Sequence, residues 1–549
     1  MARQNSRSTG RLSYVLISTF VLLVVASLVS MKMGAVPAGG RTSKTTTTTL
    51  PALAPGPDGV VSSAVVTENA LPGSTGWKIA PGTSPTAIQG FATSTQAQVG
   101  QSVNIYVDTK LPNYHIEAYR MGWYQGAGAR LVWTSPTEKG ISQPACPLDT
   151  SVNMVACWNW KLSAVMPITE NFVPGDYLLK LVAGPEASSY ILLTIWNPLS
   201  TATYVVVNRS LVEQGWNTYG GYSYYAGVGH CIIDNSSYPV CNRARVVSFD
   251  RPYDAGNGSS DFLTNEYPLI ALMEKEGLDV TYMTDITLST YPNVLSHHKV
   301  LVSLDHDESW TYEERLALQS AQSHGLNAIF FGAAAMVRHV RLEPSILGLN
   351  RQEVDYRNSY EDPLNTKAPA GQVTGNTWEV PPSSWSPLGQ IGVEYSGYLS
   401  PNVFVPMIVS DASSWVYKNT GLSNGSSLAY VISSDIDHVV GSGEPANLEI
   451  LGHSPVPVSE GTFSGATWNA NSYSDMVYFT DPVSHAGTID TGNNVWIGDL
   501  TRCTTSTPHC AAPALIAITN NILRVFGQGP AGLSEPAVSN VASITPAGS

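Results

Sequence analysis

Four short runs constrain this chain more than any other feature: Thr203–Val207 (TYVVV), Asp279–Met283 (DVTYM), Lys299–Leu304 (KVLVSL) and Asn327–Phe331 (NAIFF). Each is apolar or β-branched almost throughout, the pattern of a strand buried on both faces. Between them lie stretches with helical spacing. Ser260–Gly277 ends at a glycine, and a second helix opens with Thr311 and Glu314 as a capping box and reaches His324. Strands alternating with helices predict a parallel sheet of the α/β class, whose ligands bind beyond the carboxyl ends of the strands.

The flanking regions read differently. From Gly76 to Trp196 short strands alternate with turns: Ser102–Thr109, His115–Met121, Gly175–Val182 and Tyr190–Trp196. This pattern predicts a β-sandwich. From Tyr356 to Phe526 the chain returns to short strands and turns, closing with a helix over Ala514–Phe526. The expected fold class is α/β plus all-β. A β-sandwich over residues 76–197 precedes an α/β domain over 198–528 with a β-rich C-terminal elaboration, and residues 529–549 form a disordered tail.

At the N-terminus Arg3, Arg7 and Arg11 precede an uncharged run from Leu12 to Met31. About 20 such residues span a bilayer, and the basic flank sets the N-terminus inside. The expectation is a cytoplasmic tail (1–11), a single-pass signal anchor in the cell membrane (12–31), a Thr/Pro-rich linker (32–75) and an extracytoplasmic folded part. A cleaved signal peptide is the alternative. Six cysteines fall into close pairs, Cys146/Cys157, Cys231/Cys241 and Cys503/Cys510, which read as three local disulfides or, alternatively, as metal ligands. The net charge of −14, with no dense basic stretch past the N-terminus, excludes nucleic acid as a partner.

Two polar clusters follow predicted strands and should face one edge of the sheet. After TYVVV come Asn208, Trp216, Asn217, Tyr219, Tyr222, Tyr224 and Tyr225; after KVLVSL come Asp305, His306, Asp307 and Glu308. The segment Ser248–Tyr253 (SFDRPY) lies between them in sequence. Oxygen-rich ligand sets suit hard cations. The plainer readings are aromatic packing for the tyrosines and charge compensation at a helix N-terminus for the acids.

Together with Tyr119–Arg130 (YRMGWYQGAGAR), Trp216–Tyr225 (WNTYGGYSYY), Phe330-Phe331-Gly332 and Arg341, these segments resemble the large (beta) subunit of N,N-dimethylformamidase. The resemblance implies a glutamine-amidotransferase-like α/β domain and a mononuclear iron (Fe3+) held by two Tyr and one Glu. Glu308 and His306 match the family's Glu and its neighbouring His. Tyr225 and Tyr253 are the expected phenolates, with Tyr219 and Tyr222 in reserve, and Trp216 stands where relatives often carry Tyr. The expected function is a metal-dependent amide (C–N) hydrolase with His306, Glu308 and Asn217 in catalysis. Its partner is a small-molecule amide or a cell-envelope component, and a homo-oligomer or a small partner subunit is possible. The competing class is a non-catalytic envelope binder of glycans or peptides. One departure marks the substrate. Ala334 stands where the family carries an Asn, for which Asn217 or Asn327 could substitute. If the three pairs are disulfides, alkylation without reductant labels none of the six cysteines, and each loop adds about 2–3 kcal/mol; labelling of two or more contradicts the assignment.

Overall fold

The computed structural model describes residues 60–228, 242–399, 403–457, 472–502 and 510–544. These lie in the second of two compact units, Leu53–Ser549. The apolar run Leu12–Met31, residues 32–59 of the expected linker and Cys231, Cys241 and Cys503 lie outside the described residues. Residues 60–75, expected as the end of the linker, are instead packed on the fold, with a helix over Ser63–Asn69 that buries Val65 and Asn69. Cys146 and Cys157 form a disulfide, and Cys510 is also disulfide-bonded.

The N-terminal part is built from two antiparallel-rich sheets. One has three strands, with Ser102–Thr109 between Ile88–Ala92 and Ala164–Pro167; the other has six and centres on Gly175–Gly184 and Ala187–Ile195. Alternate residues face inward, so Ile105 and Val107 of the first sheet share a core with Tyr177, Leu179, Ile191 and Leu193 of the second. This is the period-two burial that the sequence pattern required.

The second part is one seven-stranded sheet. Its strands are β1 (Tyr204–Asn208), β2 (Val280–Thr284), β3 (Val300–Leu304), β4 (Asn327–Phe331), β5 (Glu449–Val456), β6 (Ser472–Thr480) and β7 (Gly487–Asp490). They lie in the order β2-β1-β3-β4-β7-β6-β5, parallel as far as β7 and antiparallel beyond it. Successive residues of a strand feed opposite cores. Val206, Val302 and Ile329 pack on one side with α4 (Ala512–Gln528). Val205, Leu301 and Ala328 pack on the other with Leu318 of α3 (Tyr312–Gln322). The capping box that starts α3 is formed: Thr311 Oγ1 accepts from the Glu314 N–H, and Glu314 accepts from the Thr311 N–H at 2.8 Å.

Three further expectations change. The helix read over Ser260–Gly277 is a single turn, Phe262–Asn265, followed by α2 (Tyr267–Lys275). Glu266 breaks it because its carboxylate turns to Arg209, at 3.2 Å, and Pro268 restarts the helix, needing no N–H donor there. Residues 530–544 pack on β5 and β6 where a disordered tail was expected: Asn540 bonds both backbone groups of Ile450, and the Glu535 carbonyl accepts from Tyr478. The membrane anchor is not supported. Among the described residues no helix is long and apolar enough to cross a membrane. The longest, α4, has 17 residues and is amphipathic, burying Leu515, Ile518, Ile522 and Phe526. A span needs about 20 apolar residues.

A buried ion pair joins the sandwich to the α/β part. Arg120 donates to both oxygens of Glu274 on α2, at 2.6 and 2.9 Å, and Asn69 and Tyr282 also donate to that carboxylate. Removing one member leaves an uncompensated buried charge. Glu274→Ala should therefore cost about 3–5 kcal/mol in urea unfolding, whereas a change under about 1 kcal/mol would show that the joint is not buried in solution.

Candidate active site

β1 and β3 are neighbours, and chain order runs outward from them in opposite directions. A sheet with this order binds ligands beyond the carboxyl ends of that pair. The chain leaves β1 as Asn208-Arg209 and leaves β3 as Asp305-His306-Asp307-Glu308. Asp305 turns sharply, at φ 45°, a left-handed conformation that costs a non-glycine residue about 1–3 kcal/mol. Beyond β4 only a glycine fits beside this turn, because a Cβ on Gly332 would lie 1.6 Å from the Asp305 carbonyl oxygen. That explains the Phe330-Phe331-Gly332 sequence.

Arg209 fixes the acids around it. It is 2% exposed and meets Asp261 at 2.6 Å, Glu266 at 3.2 Å, and Glu213 and Asp305 at 3.4 Å. Beside it opens a cavity of about 250 Å³, lined by Asp261, Asp305, His306 and Trp216, and across from them by Asp435 and Asn494. Burial raises the Asp305 carboxyl; Arg209 opposes this, and the outcome is about 6. Its Oδ2 accepts from Asn265 at 3.1 Å, while Oδ1 is buried with no hydrogen-bond partner. Burial would depress His306, but Asp435 and Glu308 together lift it to about 9.

Glu308 is enclosed by donors. The Tyr225 hydroxyl and, at 3.0 Å, the Trp216 indole N–H both donate to Oε1. Oε2 lies 3.5 Å from His306 Nε2 and 3.9 Å from Arg338. Burial alone would raise this carboxyl, but His306, Arg338 and Arg357 outweigh it and hold it well below the usual carboxylate range. Trp216 stacks on Tyr225 with centroids 3.7 Å apart, and the Arg357 guanidinium lies 4.2 Å from the Tyr225 ring.

The structure thus brings His306, Glu308, Tyr225 and Trp216 together. The other expected residues stand elsewhere. Tyr253 lines a separate cavity of about 30 Å³ with Asn208, Glu213 and Glu266. Asn217 is buried and used structurally, donating to Gln214 and the Pro252 carbonyl while its oxygen accepts from the Tyr219 N–H. Tyr219 packs near the Cys146–Cys157 disulfide, and Tyr222 packs beside Tyr224. Asn327 sits at the opposite edge of the sheet, bonding the carbonyls of Phe526 and Gly529. Ala334 holds φ 57° and donates its N–H to Asp437. Next to it Ala333 donates to Asn494, whose amide donates to Asp435 at 2.8 Å. Asn494 therefore carries a carboxamide to the cavity near Ala334. Asp435, Asn494 and Arg209 were missed in sequence. Only Arg209, placed directly after a predicted strand, offered a signal.

Of the expected ligand set, Tyr225 and Glu308 meet, with the Glu308 oxygens facing Trp216, Tyr225, His306 and Arg338, while Tyr253 lines the smaller cavity. The phenol that lies near both Glu308 and Tyr225 is instead Tyr395, which donates to Asp435 at 2.9 Å. A different set, Glu213, Asp261 and Glu266, brings carboxylate oxygens within 4.8 Å of one another and could hold a metal ion.

A β-rich chain with a polar site at the switch point of a largely parallel sheet defines a mixed α/β protein with an enzyme-like cleft. The chain belongs to the family described as N,N-dimethylformamidase beta subunit-like, C-terminal, whose model matches residues 115–511, and this membership suggests an amide hydrolase. No curated protein matches the chain. Among solved structures, the RIG-5 IG1 homodimer is 16% identical, with 19% of this chain and 96% of that one covered and a TM-score of 0.11. A Paenibacillus sp. cycloisomaltooligosaccharide glucanotransferase complexed with cycloisomaltoheptaose is 10% identical, with 47% and 56% covered and a TM-score of 0.15. Neither likeness is close enough to carry an argument.

The position of Trp216 generates a prediction. Trp216→Tyr adds a further phenol beside Tyr225 and Glu308, so after ferric iron addition the variant should show a stronger phenolate-to-iron absorption band than the wild type. Spectra of wild type and variant after iron addition decide it: an equal band in both would show that Trp216 does not determine the donor set.

Proposed function

We propose that the protein hydrolyses the C–N bond of an amide held in the cavity beyond β1 and β3, and that the sheet carrying it is the glutamine-amidotransferase-like part that the resemblance implied. The observation that carries this reading is the pairing, on adjacent residues at one cavity wall, of a carboxyl raised to about 6 and an imidazole raised to about 9. Near neutral pH the first is a carboxylate able to accept a proton and the second an imidazolium able to give one, as general base and general acid require.

Asp305 takes a proton from water, and the water oxygen bonds to the carbonyl carbon. The C–N bond then breaks as His306 gives its proton to the leaving nitrogen, releasing a carboxylic acid and an amine. Glu308 is too weak a base for the first step, because its own cations hold it ionised. Its part is to position His306 and keep it protonated, and the Tyr225 and Trp216 donors fix the Glu308 carboxylate. Asn494 offers a carboxamide to orient the substrate. Glu308, Tyr225 and Tyr395 are the residues that would hold the iron implied by the resemblance, and such an ion would polarise the amide carbonyl; the steps above use only groups of the chain itself.

The pH dependence follows from the two groups. Below about 6 Asp305 is protonated and cannot act as base; above about 9 His306 loses the proton that it must give. The log of kcat/KM for an amide should rise with pH through the first value and fall through the second. Asp305→Asn should lower it by about 10²–10⁴. Full activity in Asp305→Asn, or an amide bound by the wild type and never cleaved, would overturn the reading.

A further inference from the structure

The cavity is acidic beyond what its own cations balance. Glu213 lines it with its carboxyl raised well above the usual range by burial and by Asp261, and Asp261, Asp305 and Asp435 face Arg209 and His306. Arg209 is already shared among Glu213, Asp261, Asp305 and Glu266. Two further observations point to a ligand. Asp305, at the cavity wall, is 3% exposed, and its Oδ1 has no hydrogen-bond partner. Trp216 is 45% exposed although one face is covered by Tyr225, so its other face is left at the cavity wall. An uncovered indole face beside carboxylates is the arrangement that attracts an organic cation.

Resting on the hydrolase reading above, we propose that the amide taken by this site carries a primary ammonium group, which lies against Trp216 and the Asp261 side of the cavity while the carbonyl meets Asp305 and His306. Asp261 is the accessible anion of the group. Its side chain is 43% exposed, and Arg209 donates to it at 2.6 Å. A neutral amide of the same length leaves these carboxylates uncompensated, and an anionic one is repelled.

Calorimetry on the full chain at pH 7.5 tests this with three probes: N-(4-aminobutyl)acetamide, N-pentylacetamide and 4-acetamidobutanoate. The ammonium probe should bind at least about tenfold more tightly than the neutral one, and the carboxylate probe most weakly. The preference should shrink with added NaCl and largely disappear in Asp261→Asn. Equal or tighter binding of N-pentylacetamide overturns the proposal, as does a cluster that takes Ca²⁺ while ignoring the charge of the amide. If Asp261→Asn does not fold, the probe order and its salt dependence in the wild type still decide. Release of acetate separates the two readings. Selective binding without acetate contradicts the hydrolase and leaves the ammonium site standing. Cleavage of all three probes at equal affinity does the reverse.

Discussion

A guanidinium buried at the end of a strand has to be surrounded by acids, and the site is organised by that requirement at Arg209. Desolvating an isolated charge costs several kcal/mol even after relaxation. Arg209 escapes this by drawing in Glu213 from α1 (Ser210–Trp216), Asp261 and Glu266 from the approach to α2, and Asp305 from the turn after β3. The break in the helix at Glu266 and part of the acidity of the cavity follow from this one side chain. So does the poise of Asp305, which is raised by burial but kept titratable by the cation beside it.

A second set of charges works in the opposite sense a few residues on. Glu308 is also buried, yet Arg338, Arg357 and His306 hold it ionised. Two carboxyl groups three residues apart thus differ because one shares its cation with three other acids and the other is met by cations and two neutral donors. Environments that push neighbouring titratable groups apart are what acid–base chemistry needs. Here His306 lies between them.

Much of the scaffold was legible in the sequence because its signals are local. TYVVV, KVLVSL and NAIFF are continuous apolar runs that only a doubly covered strand can bury, and Thr311 with Glu314 formed the capping box expected of them. His306 and Glu308 could be placed at the ligand edge because they follow a strand directly. What sequence could not give is direction. Tyr225 and Tyr253 looked equivalent, but Arg251, which bonds the carbonyls of Asn217, Tyr219 and Tyr222, knots this loop so that Tyr253 lines the smaller cavity. Nor could it pair His306 with Asp435 or Ala333 with Asn494, partners more than a hundred residues away whose meeting depends on how the β-rich segments fold over the sheet.

The central claim is that this cleft adds water across an amide bond. Its most direct test is mass spectrometry of the acid formed from N-(4-aminobutyl)acetamide in H₂¹⁸O, with the wild-type chain beside Asp305→Asn. The account predicts acetate carrying one ¹⁸O from the wild type and almost none formed by the variant. Acetate without the label, or equal labelled product from both proteins, would contradict it.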